Sequence, residues 1–379
     1  MKRAAGFLAA LVLVWGMAVP CWGVELTLTS HAALLMEKTT GQILYAQNEH
    51  EARPPASVTK IMTVLLTMEA IDSGRIALDD MVTVSAYAAG MGGSQVFLAE
   101  GEQMSVDDLL KAVCVSSGND AAVALAEHVA GVTELFVEQM NNRARELGMN
   151  DTHFVNCTGL TAEGHVTSAY DIALMSRELM LHHPDIRNYT TIWMDTLRSG
   201  TFGLSNTNKL IRFYDGATGL KTGFTQEAGY CISATAERDG MELIAVIMKA
   251  PDKDTRTKDA KALLNYGFST YALVSAVPQE PLTPVPVAMG TADAVQPIAE
   301  TENASVLVER SKAGGLTQTV TLEPQVTAPV AAGQRLGELS VLDGDTVLVT
   351  VPLVAQEAVA RRSWGQVFTQ LLRMAVFAA

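Results

Sequence analysis

The period of apolar positions changes several times along the chain, and each change predicts an element. Short apolar runs at 33–36 and 43–45 flank Lys38-Thr39-Thr40-Gly41, which predicts a β-hairpin. Ile61, Met62, Val64, Leu65, Leu66, Met68, Ala70 and Ile71 make a helix apolar on nearly every side, as a buried helix must be. Pro54-Pro55 precede that helix and Gly74 ends it, so Ser57 falls in its first turn. Residues 109–129, 134–147 and 170–181 also carry helical spacing. Residues 229–237 and 241–250 alternate apolar and polar positions around Asp239-Gly240, a second hairpin, and 254–271 follows as a helix. This order predicts a mixed α/β (α+β) domain over 24–272. Its antiparallel sheet takes strands from both ends, with a helical region inserted between them.

Past residue 272 the texture turns to Pro-rich linker over 273–285. Short β-type runs broken by Gly and Pro then predict a small all-β domain over 286–355. In the last segment, 356–379, Trp364, Val367, Phe368, Leu371, Leu372 and Ala375 share one helical face, and no acid follows Glu357. A basic amphipathic helix of this kind predicts attachment to a membrane surface, the alternative being a helix packed on the β domain. Arg373 interrupts the apolar run and argues against spanning.

Composition narrows the function. The net charge of −14 excludes a nucleic-acid surface, and 48% hydrophobic residues are ample for sizeable cores. Residues 1–23 read as a signal peptide: Lys2 and Arg3, an apolar stretch from Phe7 to Val19, then Cys21 and Gly23 as small residues at a cleavage site. An uncleaved anchor or a lipid-modified Cys21 are the other readings of this stretch. The chain is expected to be exported. Beyond the signal, Cys114, Cys157 and Cys231 suggest no metal pattern, and small buried residues are expected rather than a Cys114–Cys157 pair. His153, His165, His182 and His183 have no ligand spacing, so surface or capping roles are expected and no metal or cofactor is implied.

The candidate chemistry lies in three motifs. Ser57 and Lys60 in Ser57-Val58-Thr59-Lys60 are one helical turn apart on one face, which pairs a nucleophile with a base. Lys60 can act only when neutral, so burial and a second cation, Lys221, must lower its pKa. The Ser57 N–H, at a helix start, is free to donate to a developing oxyanion. Ser117-Gly118-Asn119 offers a hydroxyl for proton relay and an amide, and Lys221-Thr222-Gly223 precedes a strand where a glycine admits a substrate backbone. Phe224-Thr225 adds a second hydroxyl. Singly each motif is also what a cap or turn looks like; in this order, on these element types, they point to a serine acyl-transfer site.

Together the motifs resemble those of the low-molecular-mass penicillin-binding proteins, specifically the D-alanyl-D-alanine carboxypeptidases, over about residues 25–379. The resemblance implies that Ser57 attacks the last peptide bond of peptidoglycan stem pentapeptides ending in D-Ala-D-Ala, at the extracytoplasmic face of the bacterial membrane. Lys60 is then the base, and Ser117 and Lys221 assist proton transfer. The Ser57 and Phe224 N–H groups form the oxyanion hole, and Asn119 holds the substrate amide. Thr222, Thr225 and Arg256 hold its terminal carboxylate, beside Gly223, and β-lactam antibiotics acylate Ser57. No cofactor, metal or nucleic-acid partner is implied. The family often has a basic residue inside Asn-x-Asn before Lys-Thr-Gly; here Asn206-Thr207-Asn208 has Thr207, with Lys209 next. Asp171, after Ser168, reads as a structural cap. The rival readings are a β-lactamase, against which no Glu-x-x-Leu-Asn motif lies between Ser117 and Lys221, and a slow penicillin-binding scaffold.

Overall fold

The computed structural model describes residues 26–278, 280–301 and 304–369; the expected signal peptide and residues 370–379 of the expected anchor lie outside them. The first domain is built on one antiparallel sheet of β1 (Ala32–Glu37), β2 (Ile43–Gln47), β3 (Ala217–Thr225), β4 (Gly229–Arg238) and β5 (Met241–Ala250), in the order β2-β1-β5-β4-β3. The strands do come from both ends of the domain. Between β2 and β3 run α1 (Lys60–Asp72), α2 (Val106–Ser116), α3 (Asn119–Ala130), α4 (Thr133–Glu146) and α5 (Ala169–His182). After β5 comes α6 (Lys253–Thr270), within one residue of the expected helix. Asp239 and Gly240, at φ +51° and +76°, make the tight turn between β4 and β5.

The alternation expected in β5 is not what the structure shows. Leu243, Ala245 and Ile247 pack into the core shared with α6, while Ile244, Val246 and Met248 pack toward the helical region. A strand covered on both faces needs apolar residues throughout, so its sequence is a continuous run. α1 is buried along almost its whole length, as its pattern predicts. The helix expected over 109–129 is broken into α2 and α3, because Ser117 adopts a left-handed φ of +63°. That break turns the Ser117 hydroxyl out of the helix line and toward β3. Half of the expected capping box forms: Ser168 is the N-cap, its Oγ accepting from Asp171 N, while the Asp171 carboxylate accepts instead from Asp151 N and Thr152 Oγ1.

The segment expected as a linker over 273–285 differs from that reading. It begins inside the strand Tyr271–Ser275, which pairs with Ser305–Glu309, and it ends at the strand Val285–Ala288. A four-stranded sheet of Pro297–Ala299, Thr346–Ala355, Arg335–Asp343 and Thr317–Leu322 forms most of the β-rich region. Val359 packs into its core with Val330 and Leu336, so the terminal segment leaves this domain later than residue 356. The apolar contacts of Val359 decide that boundary. The helical turns then begin at Trp364.

Candidate active site

β3 is an edge strand, and its Gly223 lies against the turn that carries Ser57. A Cβ on Gly223 would stand 2.9 Å from Ser57 N, 3.0 Å from Pro55 O and 3.0 Å from Val58 N. The glycine is therefore required by the protein's own backbone, and it also lines the cleft. Any side chain here would push the strand off the nucleophile.

Ser57 sits in a 3-10 turn, Ala56–Thr59, that leads into α1. Ala56 holds φ at +50°, and Gly159 packs so closely that a Cβ there would lie 1.8 Å from Ala56 O. Ser57 itself is half-buried, while Lys60 is completely buried. Lys60 Nζ lies 3.1 Å from Ser57 Oγ, 2.5 Å from Asn119 Oδ1 and 2.7 Å from Thr158 O. The last two are acceptors only. A neutral amine donates its two N–H bonds to them and is left with its lone pair facing the Ser57 hydroxyl, the orientation a general base needs. Burial, and then the Lys221 charge, hold the Lys60 amine well below the usual lysine value.

Asn119 is pinned as well as pinning: its Nδ2 donates to Gly92 O at 2.6 Å. With both ends of its amide engaged, Asn119 orients Lys60. Lys221 Nζ donates to Ser117 Oγ at 2.8 Å and to Thr222 O at 2.9 Å. Burial, with the Arg256 charge adding to it, brings the Lys221 amine down to about 7. Two amine–hydroxyl pairs, Lys60 with Ser57 and Lys221 with Ser117, are thus present at the site.

Both hydroxyls line a cleft of about 240 Å³, together with Thr222, Gly223, Phe224 and Arg256, all named from the sequence. Thr225 is not among the lining residues; its hydroxyl accepts from Ala228 N at 3.1 Å and stabilises the following turn. Arg256 is 4% exposed, has no carboxylate partner among the described residues, and its Nε makes no hydrogen bond. It lies over the Tyr230 ring at 5.9 Å. A buried guanidinium left unpaired is costly unless an anion completes it.

Residues 21–252 match the model of a peptidase family described as D-alanyl-D-alanine carboxypeptidase, and residues 268–361 match the penicillin-binding protein 5 C-terminal domain. The chain belongs to the D-alanyl-D-alanine carboxypeptidase family. The carboxypeptidase DacF of Bacillus subtilis (strain 168) is 41% identical over 338 residues, spanning 88% of this chain and 86% of that protein. Penicillin binding protein 6B from Escherichia coli has a TM-score of 0.72 and 35% identity, over 88% of this chain and 98% of the other. The ampicillin-bound form of Penicillin-Binding Protein D2 from Listeria monocytogenes has a TM-score of 0.60 and 35% identity, over 64% of this chain and 99% of the other. The enzyme is a hydrolase of the penicillin-binding type.

Four cleft residues of this carboxypeptidase were not singled out as binding residues from its sequence: Ser94, Thr207, Tyr230 and Lys253. Thr207 Oγ1 lies 2.7 Å from Thr222 Oγ1, so the Asn-x-Asn segment reaches the site without a cation there. Lys253, at the start of α6, is the exposed lysine of the cleft. Its place beside Arg256 on that helix is the one signal that could have found it.

His165 departs most from expectation. It is 3% exposed, behind the nucleophile turn of the carboxypeptidase. Its Nδ1 accepts from Val155 N at 2.9 Å, which leaves the proton on Nε2 to donate to Thr59 Oγ1 at 2.8 Å; that hydroxyl donates to Ala56 O at 2.9 Å. Burial, and then the charge of His153, bring the imidazole down to about 4. The unfolded chain takes up this proton below about 6.5, so stability from this group is lost as pH falls toward 4, by up to about 3 kcal/mol. Thermal melts at pH 7 and pH 4.5 should show a smaller acid shift for His165→Gln than for the parent. The remaining expectation, the cysteines, is met: Cys114, Cys157 and Cys231 are buried and unpaired, their thiols pushed up by burial to about 12, 12 and 11.

Proposed function

We propose that Ser57 Oγ attacks the carbonyl carbon of the penultimate D-alanine of a peptidoglycan stem pentapeptide. The hydroxyl proton passes to the Lys60 lone pair as the ester bond forms. The peptide bond then breaks, its nitrogen taking a proton through Ser117 and Lys221, and D-alanine leaves. Water hydrolyses the ester and returns Ser57. The single observation that carries this reading is a neutral-leaning Lys60 amine 3.1 Å from a half-exposed serine hydroxyl. The Ser57 and Phe224 N–H groups are assigned to the oxyanion, since the Gly223 contact brings that stretch of β3 against the Ser57 turn. β-Lactams acylate the same oxygen, and the released D-alanine is the assay.

Arg256 and Thr222 receive the terminal carboxylate in this reading. The unpaired, buried guanidinium supports it, with Lys253 as a further cation at the cleft. Arg256→Gln is expected to lower kcat/KM for a pentapeptide by about 10²-fold. Removing an unpaired buried charge should at the same time leave the melting temperature unchanged or raise it. Melting curves measured beside D-alanine release check both signs.

The enzyme is further proposed to act at the outer face of the cytoplasmic membrane, held there by its terminal helix. Trp364 is 89% exposed and Phe368 64% exposed, which supports a helix free to bury these groups in a lipid surface rather than in the β domain. Among the described residues no helix is long and apolar enough to cross a membrane. Deleting residues 357–379 would also remove Val359 from the β core, so the sharper variant ends after residue 363. Fractionation should move it from membrane to soluble fraction; retention at the membrane counts against the anchor.

A further inference from the structure

Asp120 follows Asn119 in the first turn of α3, is completely buried, and has no ion-pair partner among the described residues. A buried carboxylate without a cation is costly unless several donors hold it. Three backbone N–H groups do so. Val96 N and Leu98 N both reach Oδ2 at 3.0 Å, and Ala121 N donates to Oδ1 at 2.9 Å. Two N–H groups from alternate residues converge on one oxygen because Phe97, between them, takes a left-handed φ of +56°. Such a turn is an anion-binding nest, and for a bulky residue it is strained. Its ring gains no burial in return, being 71% exposed.

The nest belongs to the loop that borders the cleft. Ser94 lines the cleft, and Ser94 O accepts from Asn119 N at 2.7 Å, while Gly92 O accepts from Asn119 Nδ2 at 2.6 Å. On the other side of the loop Arg198 donates to Val96 O at 2.9 Å and to Phe97 O at 3.0 Å, its own charge paired with Glu102 at 2.7 Å. Residues 92–98 are therefore clamped between α3 and Arg198, and Asp120 is the side chain through which α3 grips the N–H groups of the loop. Because Asn119 Oδ1 accepts from Lys60 Nζ, a shift of the loop turns the Asn119 amide and with it the Lys60 lone pair.

We infer that Asp120 is a positioning residue for acylation: seated in the 96–98 nest, it fixes Ser94 and the Asn119 amide, and its buried charge faces the Lys60 amine from α3. The inference rests on the proposed role of Lys60 as the base. Three groups act on that amine: Lys221 from β3, Cys157 from the loop before α5 and Asp120 from α3. Burial and then Lys221 lower its pKa, whereas Asp120 acts in the opposite direction. The Cys157 thiol, pushed up to about 12, is neutral at physiological pH, which makes Asp120 the anion of the set. On the loop side Asp120 is faced by the Arg198 charge. An amine lowered too far is a weak proton acceptor, so Asp120 keeps the base basic as well as aimed.

The test is stopped-flow penicillin acylation across pH, with melting curves beside it. Asp120→Asn keeps the size, removes the charge and turns an NH₂ group toward N–H donors of the nest. Acylation at the pH optimum should slow by about 10²-fold. The acid limb should move to lower pH, opposite in sign to Lys221→Met, whereas a displaced loop alone would lower the rate and leave the limb in place. Two variants at the exposed Phe97 keep the Asp120 charge and vary only the nest. Phe97→Gly accepts the left-handed turn and Phe97→Val resists it, so the valine variant should acylate about tenfold more slowly than the glycine variant, both with the parent's acid limb. Equal rates in these two would overturn the positioning role, even where Asp120→Asn does not fold. An acid limb unmoved, or moved to higher pH, in Asp120→Asn would overturn the electrostatic one. A parent profile with no acid limb would instead overturn Lys60 as the base.

Discussion

Ser57→Ala should release no measurable D-alanine from a stem pentapeptide, a loss on the order of 10⁵–10⁶-fold in kcat. The size follows from the geometry. Among the described residues Lys60 meets no hydroxyl but that of Ser57, and Asn119 Oδ1 and Thr158 O occupy its two remaining directions. Water admitted by the missing hydroxyl would have to attack without a covalent intermediate and without the alignment the 3-10 turn provides. The same variant should lose covalent labelling by penicillin, read by mass spectrometry as the absence of an adduct. Its melting temperature should stay close to that of the parent, since Ser57 makes no capping hydrogen bond to the helix it begins. Labelling that persists in Ser57→Ala would assign the nucleophile elsewhere.

Lys60→Arg should cost about 10²–10⁴-fold in the rate of acylation, the range for a lost general base. Arginine keeps the charge and most of the length, yet its guanidinium stays protonated and offers no lone pair to Ser57. The pH dependence has a definite sign. Lys60 must be neutral to accept the proton, so acylation of the parent enzyme should fall as pH is lowered and Lys60 becomes charged. Burial is the main cause of its lowered pKa and the Lys221 charge the second. Lys221→Met removes only the second, so the acid limb of the pH–acylation profile should move to higher pH, part of the way toward an ordinary lysine. An acid limb that stays in place in Lys221→Met would show that the two amines are not coupled. Stopped-flow measurement of penicillin acylation across pH separates these outcomes from a simple loss of activity.

Much of the carboxypeptidase was legible in its residues. The continuous apolar character of α1 required it to be buried, and a lysine one turn after a serine on such a helix had to be buried with it. The edges of β4, β5 and α6 followed from a tight turn at Asp239-Gly240 and from helical periodicity, both local properties. Ser-x-x-Lys falls at a helix start as its spacing predicts, whereas Lys-Thr-Gly, read as preceding a strand, lies inside β3, and Ser-x-Asn breaks the helix expected over 109–129. What escaped was whatever depended on contacts between distant segments. Nothing local marks His165 as a buried donor to Thr59, since its partners lie about 106 residues away or on the loop at Val155. Ser94 and Thr207 carry no motif, and reach the cleft only because Asn119 and Thr222 hold them there.

The boundary between the two kinds of information is physical. Sequence by itself determined which residues had to be inside, most of the strands and helices though not β3, and the types of group available for acyl transfer, because periodicity and turn chemistry act over a few residues. Only the tertiary structure decided which of those groups meet. The left-handed turn at Ser117, the contact that makes Gly223 indispensable, the two acceptors that aim the Lys60 lone pair and the unpaired Arg256 all arise where α1, α3, β3 and α6 converge. Desolvation and the Lys60–Lys221 encounter, which lower the pKa of the base, exist only once that convergence has taken place.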